Sequence, residues 1–284
     1  AEGAAFLGGV KVGLQTPVAD DLIDRAVVAA GDADVVVLVV GTNLDWETEG
    51  RDRGSMDLPG DQSELIRRVC AANPRTVVVV NAGSVVTSDW AGDAPAVLVT
   101  WFGGQEMADA LVDVLVGDDE PSGRLPTTVP HRLADTPAYL NYPGENGRVV
   151  YTEGLFTGYR WYEARDIDVA FPFGHGLSYT RFEWGTPTVD APDTVADLET
   201  GRPVVVTVPV RNVGDRAGSE VVQAYVGCDA PRLSRPAREL RGLAKVRLEP
   251  GEEREVELVL DHRAFTYWDP GDPSYPERAD AAPV

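Results

Sequence analysis

The residues best suited to chemistry lie together in one short stretch, Asp45 to Arg53. It reads Asp-Trp-Glu-Thr-Glu-Gly-Arg-Asp-Arg, so four carboxylates and two guanidiniums surround a single tryptophan. If the stretch is extended, Glu47 and Glu49 point to the same face, and their mutual repulsion, helped by burial, could keep one of them protonated near neutral pH. A protonated carboxyl is what a general acid requires.

Trp46 fits a sugar site, because an indole face can pack on the C–H face of a pyranose while polar neighbours bind its hydroxyls. Gly50 would let the backbone turn beside that site. The alternative is a solvated surface loop whose opposite charges pair with each other. Composition alone does not separate these two interpretations.

Strands and helices alternate on both sides of this stretch. The patterns predict a helix from Asp20 to Gly31, capped by Asp20 or Asp21, and then the strand Asp34–Val40, the helix Asp61–Ala72, the strands Thr76–Val80 and Ala96–Thr100 and the helix Gly104–Val116. This order predicts a mostly parallel sheet flanked by helices, in which the β-branched first strand is covered on both faces. Functional groups in such sheets collect past the carboxyl ends of the strands, which is where the loop 41–60 lies.

The helical pattern disappears further along the chain. Residues 117–189, rich in Pro, Gly and Tyr, are predicted to be an irregular segment packed on the first domain. Short alternating segments then predict an antiparallel β-sandwich, with strands at Val204–Val210, Glu220–Val226, Leu243–Leu248 and Glu253–Leu260. The predicted organisation is an α/β sandwich domain over 1–189 that carries the acidic loop, an all-β sandwich over 190–270 and a frayed tail over 271–284.

Composition excludes several classes of function. A net charge of −21 would repel phosphate backbones and anionic lipid surfaces, so nucleic acid is not an expected partner. The apolar runs are too short to span a bilayer, and no membrane partner is expected. Cys70 and Cys228 lie too far apart in sequence to indicate a disulfide framework, and we expect two separate buried thiols. His131, His175 and His262 are isolated, so neither a metal nor a cofactor is expected.

Several aromatic residues have two interpretations. Trp101, Tyr151, Tyr159, Trp161 and Tyr162 could line a saccharide cleft. Aromatic side chains in an irregular segment, however, more often anchor it to the domain beneath, and we favour that interpretation here.

Trp46 to Arg53, followed by Met56-Asp57-Leu58-Pro59-Gly60, closely resembles the acid/base loop of family 3 glycoside hydrolases. Further motifs that resemble this family follow in order at 100–106, 121–126, 151–162 and 171–180. Residues 210–214 and 218–226 resemble its fibronectin type III-like domain. Because several motifs are collinear over nearly the whole chain, the resemblance is specific.

The resemblance implies the C-terminal portion of a retaining, exo-acting β-glucosidase that hydrolyses terminal β-linked glucose. Glu49 matches the general acid/base position and Glu47 is its rival, while Trp46, Glu47 and Arg53 are the expected substrate-binding residues. Asp52 and Arg53 are expected to shape the loop. The Asp nucleophile of the family lies on an N-terminal (β/α)8 barrel of ~250 residues, which this chain lacks, so the chain alone is not expected to be competent.

A second hypothesis belongs to another class, a noncatalytic carbohydrate-binding or interaction module. The implied partners of the enzyme are the barrel and a β-glucoside. A homodimer is compatible with the sequence, which does not determine the oligomeric state or the aglycone. The resemblance also favours a secreted or extracellular location.

Overall fold

The computed structural model describes residues 5–7, 10–12, 21–269, 271 and 282–283. The chain divides into two compact units, Ala1–Gly103 and Gly104–Val284.

The first unit contains a parallel sheet with helices. Its elements are β1 (Ala5–Leu7), β2 (Val10–Val12), α1 (Leu22–Gly31), β3 (Val36–Gly41), α2 (Gln62–Ala72), β4 (Thr76–Asn81) and β5 (Ala96–Val99). β1 and β2 form an antiparallel pair, and β3, β4 and β5 form a parallel sheet in that order. The predicted strands and helices of this part are confirmed, and the carboxyl ends of three parallel strands lie along one edge of the sheet.

One face of this sheet and one side of α2 share a core. Its buried members are Val40, Leu58, Ile66, Cys70, Val78, Val80, Ala82, Val86 and Trp90. The central strand β4 is buried on both faces, as a continuous valine run predicts. The same prediction for β3 is wrong, because Val37 is 47% and Val39 60% exposed. β3 is an edge strand of the described sheet, and its second face lacks the cover that β4 has.

The ends of α1 and α2 are joined through Asn73. This buried amide donates to the Ala30 carbonyl at 2.9 Å and to the Ala33 carbonyl at 2.7 Å. Gly31 ends α1 as predicted. The predicted capping role of Asp21 is wrong: the residue occupies the N-cap position, but its side chain makes no cap hydrogen bond. Asp20 lies outside the described residues.

The second unit begins with a helix and ends in a β-sandwich. Its elements are α3 (Met107–Val116), β6 (Val129–Pro130), α4 (Tyr159–Ala164), β7 (Val169–Phe171), β8 (Phe182–Trp184), β9 (Thr188–Asp190), α5 (Val195–Glu199), β10 (Val204–Asn212), β11 (Gly218–Val226), β12 (Glu239–Leu248), β13 (Glu253–Leu260), β14 (Thr266–Tyr267) and β15 (Ala282–Pro283). The four predicted sandwich strands correspond to β10 to β13 and are antiparallel.

Two sheets face each other in the sandwich. β10 pairs with β13, β8 and β9, while β11 pairs with β12. The shared core consists of Val208, Val210, Val222, Val246, Leu248, Val256 and Leu258. Because β8 and β9 pair with β10, this sheet includes residues 182–190, upstream of the predicted boundary. The domain limits 1–189, 190–270 and 271–284 stay predictions, and most of the predicted tail lies outside the described residues.

Two further predictions can be compared with the described residues. Both cysteines are free, but only Cys70 is buried and Cys228 is half-buried, so the expectation of two buried thiols holds for Cys70 alone. Within the described part of the chain, no helix has the length and apolar character needed to cross a membrane.

Candidate active site

The acidic loop after β3 folds as two consecutive turns. The Asn43 carbonyl accepts hydrogen bonds from the amides of Trp46 and Glu47, and the Asn43 side chain accepts from the Asp45 amide. Thr48 and Arg51 then pair across a tight turn whose tip is Glu49 and Gly50. The stretch is therefore not extended, and the premise that Glu47 and Glu49 share one face of a strand is wrong. An Asn side chain that bonds to its own turn favours this compact path.

Glu47 lies inside the loop, and one of its oxygens accepts three hydrogen bonds. Oε1 accepts from the Thr42 hydroxyl at 2.5 Å, from the Gly83 amide at 3.2 Å and from Arg53 Nη1 at 3.4 Å. Only about 15% of its side chain is exposed. The carboxylate thus joins the end of β3, the loop after β4 and the guanidinium of its own loop.

Arg53 fastens the acidic loop to the neighbouring one. Its Nη1 donates to Ser84 Oγ at 2.8 Å and its Nη2 donates to the Val85 carbonyl at 2.8 Å. Its Nε donates to the Ser55 carbonyl at 3.3 Å. The predicted loop-shaping role of Arg53 fits these contacts. Asp52 is exposed and forms no hydrogen bond or ion pair with any described residue, so it does not share that role.

Glu49 differs from Glu47 in its exposure and in its hydrogen bonding. It is exposed at the tip of the turn and makes no hydrogen bond or ion pair within the described residues. Its carboxyl group is therefore available to a group that approaches from outside the loop.

Aromatic residues occur in the acidic loop and in the loop after β5. Trp46 is 38% and Phe102 52% exposed, and Trp101 has a left-handed backbone with φ of 52°. The Phe102 ring lies directly against Gly83, where a Cβ would come within 2.7 Å of the ring and 2.4 Å of Glu47 Oε2. Loops from β3, β4 and β5 thus meet at the carboxyl edge of the sheet, as the parallel topology requires.

Gln62, the first residue of α2, holds the base of the acidic loop. Its side-chain oxygen accepts from the Gly41 amide at 2.7 Å, and its Nε2 donates to the carbonyls of Gly41 at 3.0 Å and Pro59 at 3.1 Å. Gly41 itself must be glycine, because a Cβ there would lie 1.8 Å from the Asn81 carbonyl oxygen. The end of β3 is thereby fixed against β4.

Asp57 ties the far end of the loop to the segment after β4. Its carboxylate accepts from the Thr87 hydroxyl and, at 2.7 Å, from the Ser55 hydroxyl. These two hydrogen bonds, from Thr87 first and Ser55 second, lower the pKa of Asp57 below its usual value despite opposing desolvation, and Arg53 adds to the lowering.

Sequence reasoning singled out Trp46, Glu47, Glu49 and Arg53 but missed the residues that hold them. Thr42, Gly83, Ser84 and Gln62 lie near the strand ends without any charge to draw attention to them. Their position was the available signal, because loops that follow neighbouring parallel strands meet at one edge. Among the described residues, no group of three His, Cys, Asp or Glu side chains could hold a metal ion.

Some of the aromatic residues anchor the irregular segment as predicted and others do not. Tyr162 is buried and the Trp161 indole donates to the Asp135 carbonyl at 2.9 Å, so both anchor their segment. Tyr159 stacks on Phe173 with ring centroids 4.8 Å apart. Tyr151 is 81% exposed, and the anchoring interpretation is wrong for it.

Two features define the class of protein. They are an α/β domain with a carboxylate-rich loop at the carboxyl edge of its sheet and a β-sandwich that follows it. The family model described as the glycosyl hydrolase family 3 C-terminal domain matches residues 5–159, more than half of the chain. A fibronectin type III-like domain model matches residues 220–275. The chain therefore belongs to glycoside hydrolase family 3, and its α/β and β-sandwich architecture is the one that the sequence predicts.

Curated relatives carry the name "Probable beta-glucosidase I". The Aspergillus flavus protein is 46% identical over 263 residues, which cover 92% of this chain and 31% of the relative. The Aspergillus niger protein is 44% identical over 263 residues, which cover 92% of this chain and 32% of the relative. This chain thus spans about a third of the length of these relatives.

Solved structures show the same fold. A β-glucosidase of Kluyveromyces marxianus in complex with glucose is 43% identical, with a TM-score of 0.83, over 90% of this chain and 30% of that one. DesR, a β-glucosidase from Streptomyces venezuelae in complex with D-glucose, is 40% identical, with a TM-score of 0.82, over 88% of this chain and 31% of that one.

Proposed function

We propose that this chain contributes Glu49 as the general acid/base of a retaining, exo-acting β-glucosidase that hydrolyses terminal β-linked glucose. The Asp nucleophile lies on an N-terminal (β/α)8 barrel outside this chain. The observation that carries the proposal is the contrast within the acidic loop, where Glu49 is exposed and unbonded while Glu47 is held. The names of the relatives support the substrate class.

A general acid must reach the glycosidic oxygen and must lose and regain a proton in each cycle. Glu49 meets the first need, because the turn presents its carboxyl group outward from the loop. Glu47 is less suited to this role, because Thr42, Gly83 and Arg53 hold its Oε1 and only about 15% of its side chain is exposed. We therefore assign Glu47 and Arg53 to holding the loop, with Trp46 placed to pack on the sugar ring.

In the proposed mechanism Glu49 first donates a proton to the glycosidic oxygen as the barrel Asp attacks the anomeric carbon. The bond to the aglycone breaks and a covalent glucosyl-enzyme ester forms. The Glu49 carboxylate then takes a proton from water, which attacks the same carbon, so the ester bond breaks, the Asp carboxylate is regenerated and glucose leaves with retained configuration. Retention requires the two carboxyl groups to stand about 5 to 5.5 Å apart, so the barrel must approach the tip of the Glu49 turn.

The test is Glu49→Gln in the full-length enzyme, with Glu47→Gln as the matched variant. An amide cannot protonate a leaving group, so turnover of an alkyl β-glucoside should fall about 100-fold to 10,000-fold, while turnover of an activated aryl β-glucoside falls less. Azide, which needs no general base, should restore turnover of the aryl substrate and yield β-glucosyl azide.

Glu47→Gln should lower turnover of both substrates by the same factor and should show no azide rescue. Equal losses on both substrates for Glu49→Gln would contradict the assignment. Unchanged hydrolysis in both variants would favour the alternative function, a noncatalytic carbohydrate-binding or interaction module.

A further inference from the structure

A second concave site lies entirely within the unit Gly104–Val284, apart from the acidic loop. It is a cavity of about 350 Å³, large enough for a small ligand. The residues that matter for its chemistry are Thr128, Tyr159, Tyr162, Asp166, Tyr225 and Arg238. They come from the irregular segment, from α4, from the sandwich strand β11 and, for Arg238, from the loop just before β12.

Rigid aromatic rings form the walls of this cavity. Tyr159 stacks on Phe173 at 4.8 Å and meets Tyr225 edge to face at 6.0 Å between centroids. The Tyr159 hydroxyl accepts from the Leu240 amide at 2.8 Å, which fixes the ring. Such preformed planar surfaces favour ligands with flat C–H faces, because the rings lose no freedom on binding.

The charged groups at this cavity largely cancel. Arg238 donates from Nε and Nη2 to Glu163 Oε1, at 2.9 and 2.6 Å, so these two charges neutralise each other. Burial raises the pKa of Tyr162 to about 12, and its phenol stays a neutral donor. The side chain of Asp166, an exposed residue, has no hydrogen-bond partner among the described residues.

One polar group of the cavity is both buried and unsatisfied. The Thr128 hydroxyl is buried and has no hydrogen-bond partner in the described structure, and Thr128 is only 5% exposed. Leaving a buried hydroxyl unpaired is unfavourable, so such a group points to a missing partner. Asp166 is held in a left-handed backbone conformation with φ of 50°, which is uncommon for a residue other than glycine.

We propose that this cavity is an accessory saccharide-binding site that takes one neutral pyranose unit. The tyrosine rings that line the cavity contact the pyranose, Asp166 accepts from its hydroxyls and Thr128 bonds to one of them. An anion such as phosphate is disfavoured by Asp166, and a purely apolar ligand would leave the buried Thr128 hydroxyl unpaired. The site does not depend on the proposed catalytic role of Glu49.

The test is calorimetric titration of the 284-residue chain with methyl β-D-glucopyranoside. A single pyranose has few atoms to bury, so we expect a Kd on the order of 1 to 10 mM. Thr128→Val and Asp166→Asn should each weaken binding about 10-fold, the loss of roughly one good hydrogen bond. Val keeps the shape of Thr, and Asn tolerates the left-handed backbone.

Thermal unfolding separates binding from folding. Thr128→Val should leave the Tm unchanged or raise it, because the deleted hydroxyl has no partner in the unbound protein. Leu140→Ala, at a residue that is 90% exposed and lies outside both sites, should leave the calorimetric Kd unchanged. Absence of binding at about 50 mM sugar, five times the weakest expected Kd, would overturn the proposal. So would binding that survives both cavity variants or that is lost in Leu140→Ala.

The length of the ligand distinguishes two sources of the sugar. A free monosaccharide and the end of a longer glucan would both present one pyranose to the cavity. If cellotetraose binds about 10-fold more tightly than the monosaccharide and the gain disappears in Asp166→Asn, the natural ligand is a chain end. Equal affinities would identify a single sugar as the ligand.

Discussion

Gly83 shows how a single residue without any functional group can determine the geometry of the site. Its missing side chain leaves the space in which the Phe102 ring and the Glu47 carboxylate lie. Its amide also donates to the same carboxylate at 3.2 Å. The position of Glu47, and with it the path of the acidic loop, depends on this residue having no Cβ.

Gly83→Ala should therefore displace Glu47 and Phe102. We expect the free energy of unfolding to fall by about 1 to 3 kcal/mol, the usual cost of forcing an atom into an occupied space. Urea unfolding of the chain measures this. Gly92→Ala is the control, since nothing lies within 4 Å of its Cβ position. A similar loss in the free energy of unfolding for both variants would contradict the close packing at Gly83.

Asp57 should make the stability of the chain depend on pH. Its pKa in the folded protein is lowered, chiefly by the Thr87 hydroxyl and then by the Ser55 hydroxyl. Because the pKa is lower in the folded protein, the ionised Asp57 stabilises the fold. This stabilisation is complete at a pH above the pKa of the unfolded chain, about 3.9 for Asp, and is lost as the pH falls through the pKa of the folded protein.

Asp57→Asn should accordingly be less stable than the parent chain at pH 7, and the difference should shrink below about pH 4. Urea unfolding between about pH 2.5 and pH 7 follows both proteins across this window. Asp61→Asn is the control, because Asp61 makes no side-chain cap hydrogen bond at the start of α2. A difference that stays constant with pH would mean that the Asp57 carboxylate is not the cause.

At the scale of elements, the acidic loop depends on the junction between β3 and α2. Gln62 bonds to both the amide and the carbonyl of Gly41, so one side chain completes the hydrogen bonding of the last residue of β3. An amide side chain is suited to this because it offers a donor and an acceptor together.

Gln62→Leu should leave the Gly41 amide and carbonyl without these partners and lower the free energy of unfolding by about 1 to 3 kcal/mol. In the full-length enzyme, turnover should fall as well, because the base of the Glu49 loop is loosened. Ser63→Ala, one residue further along α2, is the control. It should change the free energy of unfolding by no more than about 0.5 kcal/mol and turnover by no more than about twofold. A stable and fully active Gln62→Leu variant would mean that Gln62 does not hold the base of the acidic loop.

For the whole molecule, charge is the dominant feature. The chain carries 46 acidic and 25 basic side chains, a net charge of −21. Repulsion among so many like charges destabilises a compact state, and salt screens it.

Raising NaCl from about 0.01 M to about 1 M shrinks the Debye length from about 30 Å to about 3 Å and should raise the free energy of unfolding. Urea titrations at each salt concentration measure the change, and KCl should reproduce it if screening is the cause. A fall in stability with salt would mean that the surface ion pairs outweigh the net repulsion.

Much of this protein follows from local sequence patterns. The spacing of apolar residues predicts α1, α2 and β3 to β5, and the alternation of apolar and polar residues predicts β10 to β13. Such patterns arise because apolar residues occupy the buried positions of each element. The collinear motifs around Trp46 to Arg53 indicate the family. Short elements such as α4 and β6 carry too few residues to show a period, and they were not predicted.

Tertiary structure alone decided which carboxylate is held and which is exposed. Glu47 and Glu49 have the same side chain and lie two residues apart, so the sequence leaves them as rivals. The distinction comes from Gly83, Ser84 and Val85, which are far along the chain but are brought beside Glu47 and Arg53 by the parallel pairing of β3 with β4. A contact between segments so distant in sequence leaves no local pattern, because it depends on how the strands pair and not on the residues of either segment alone.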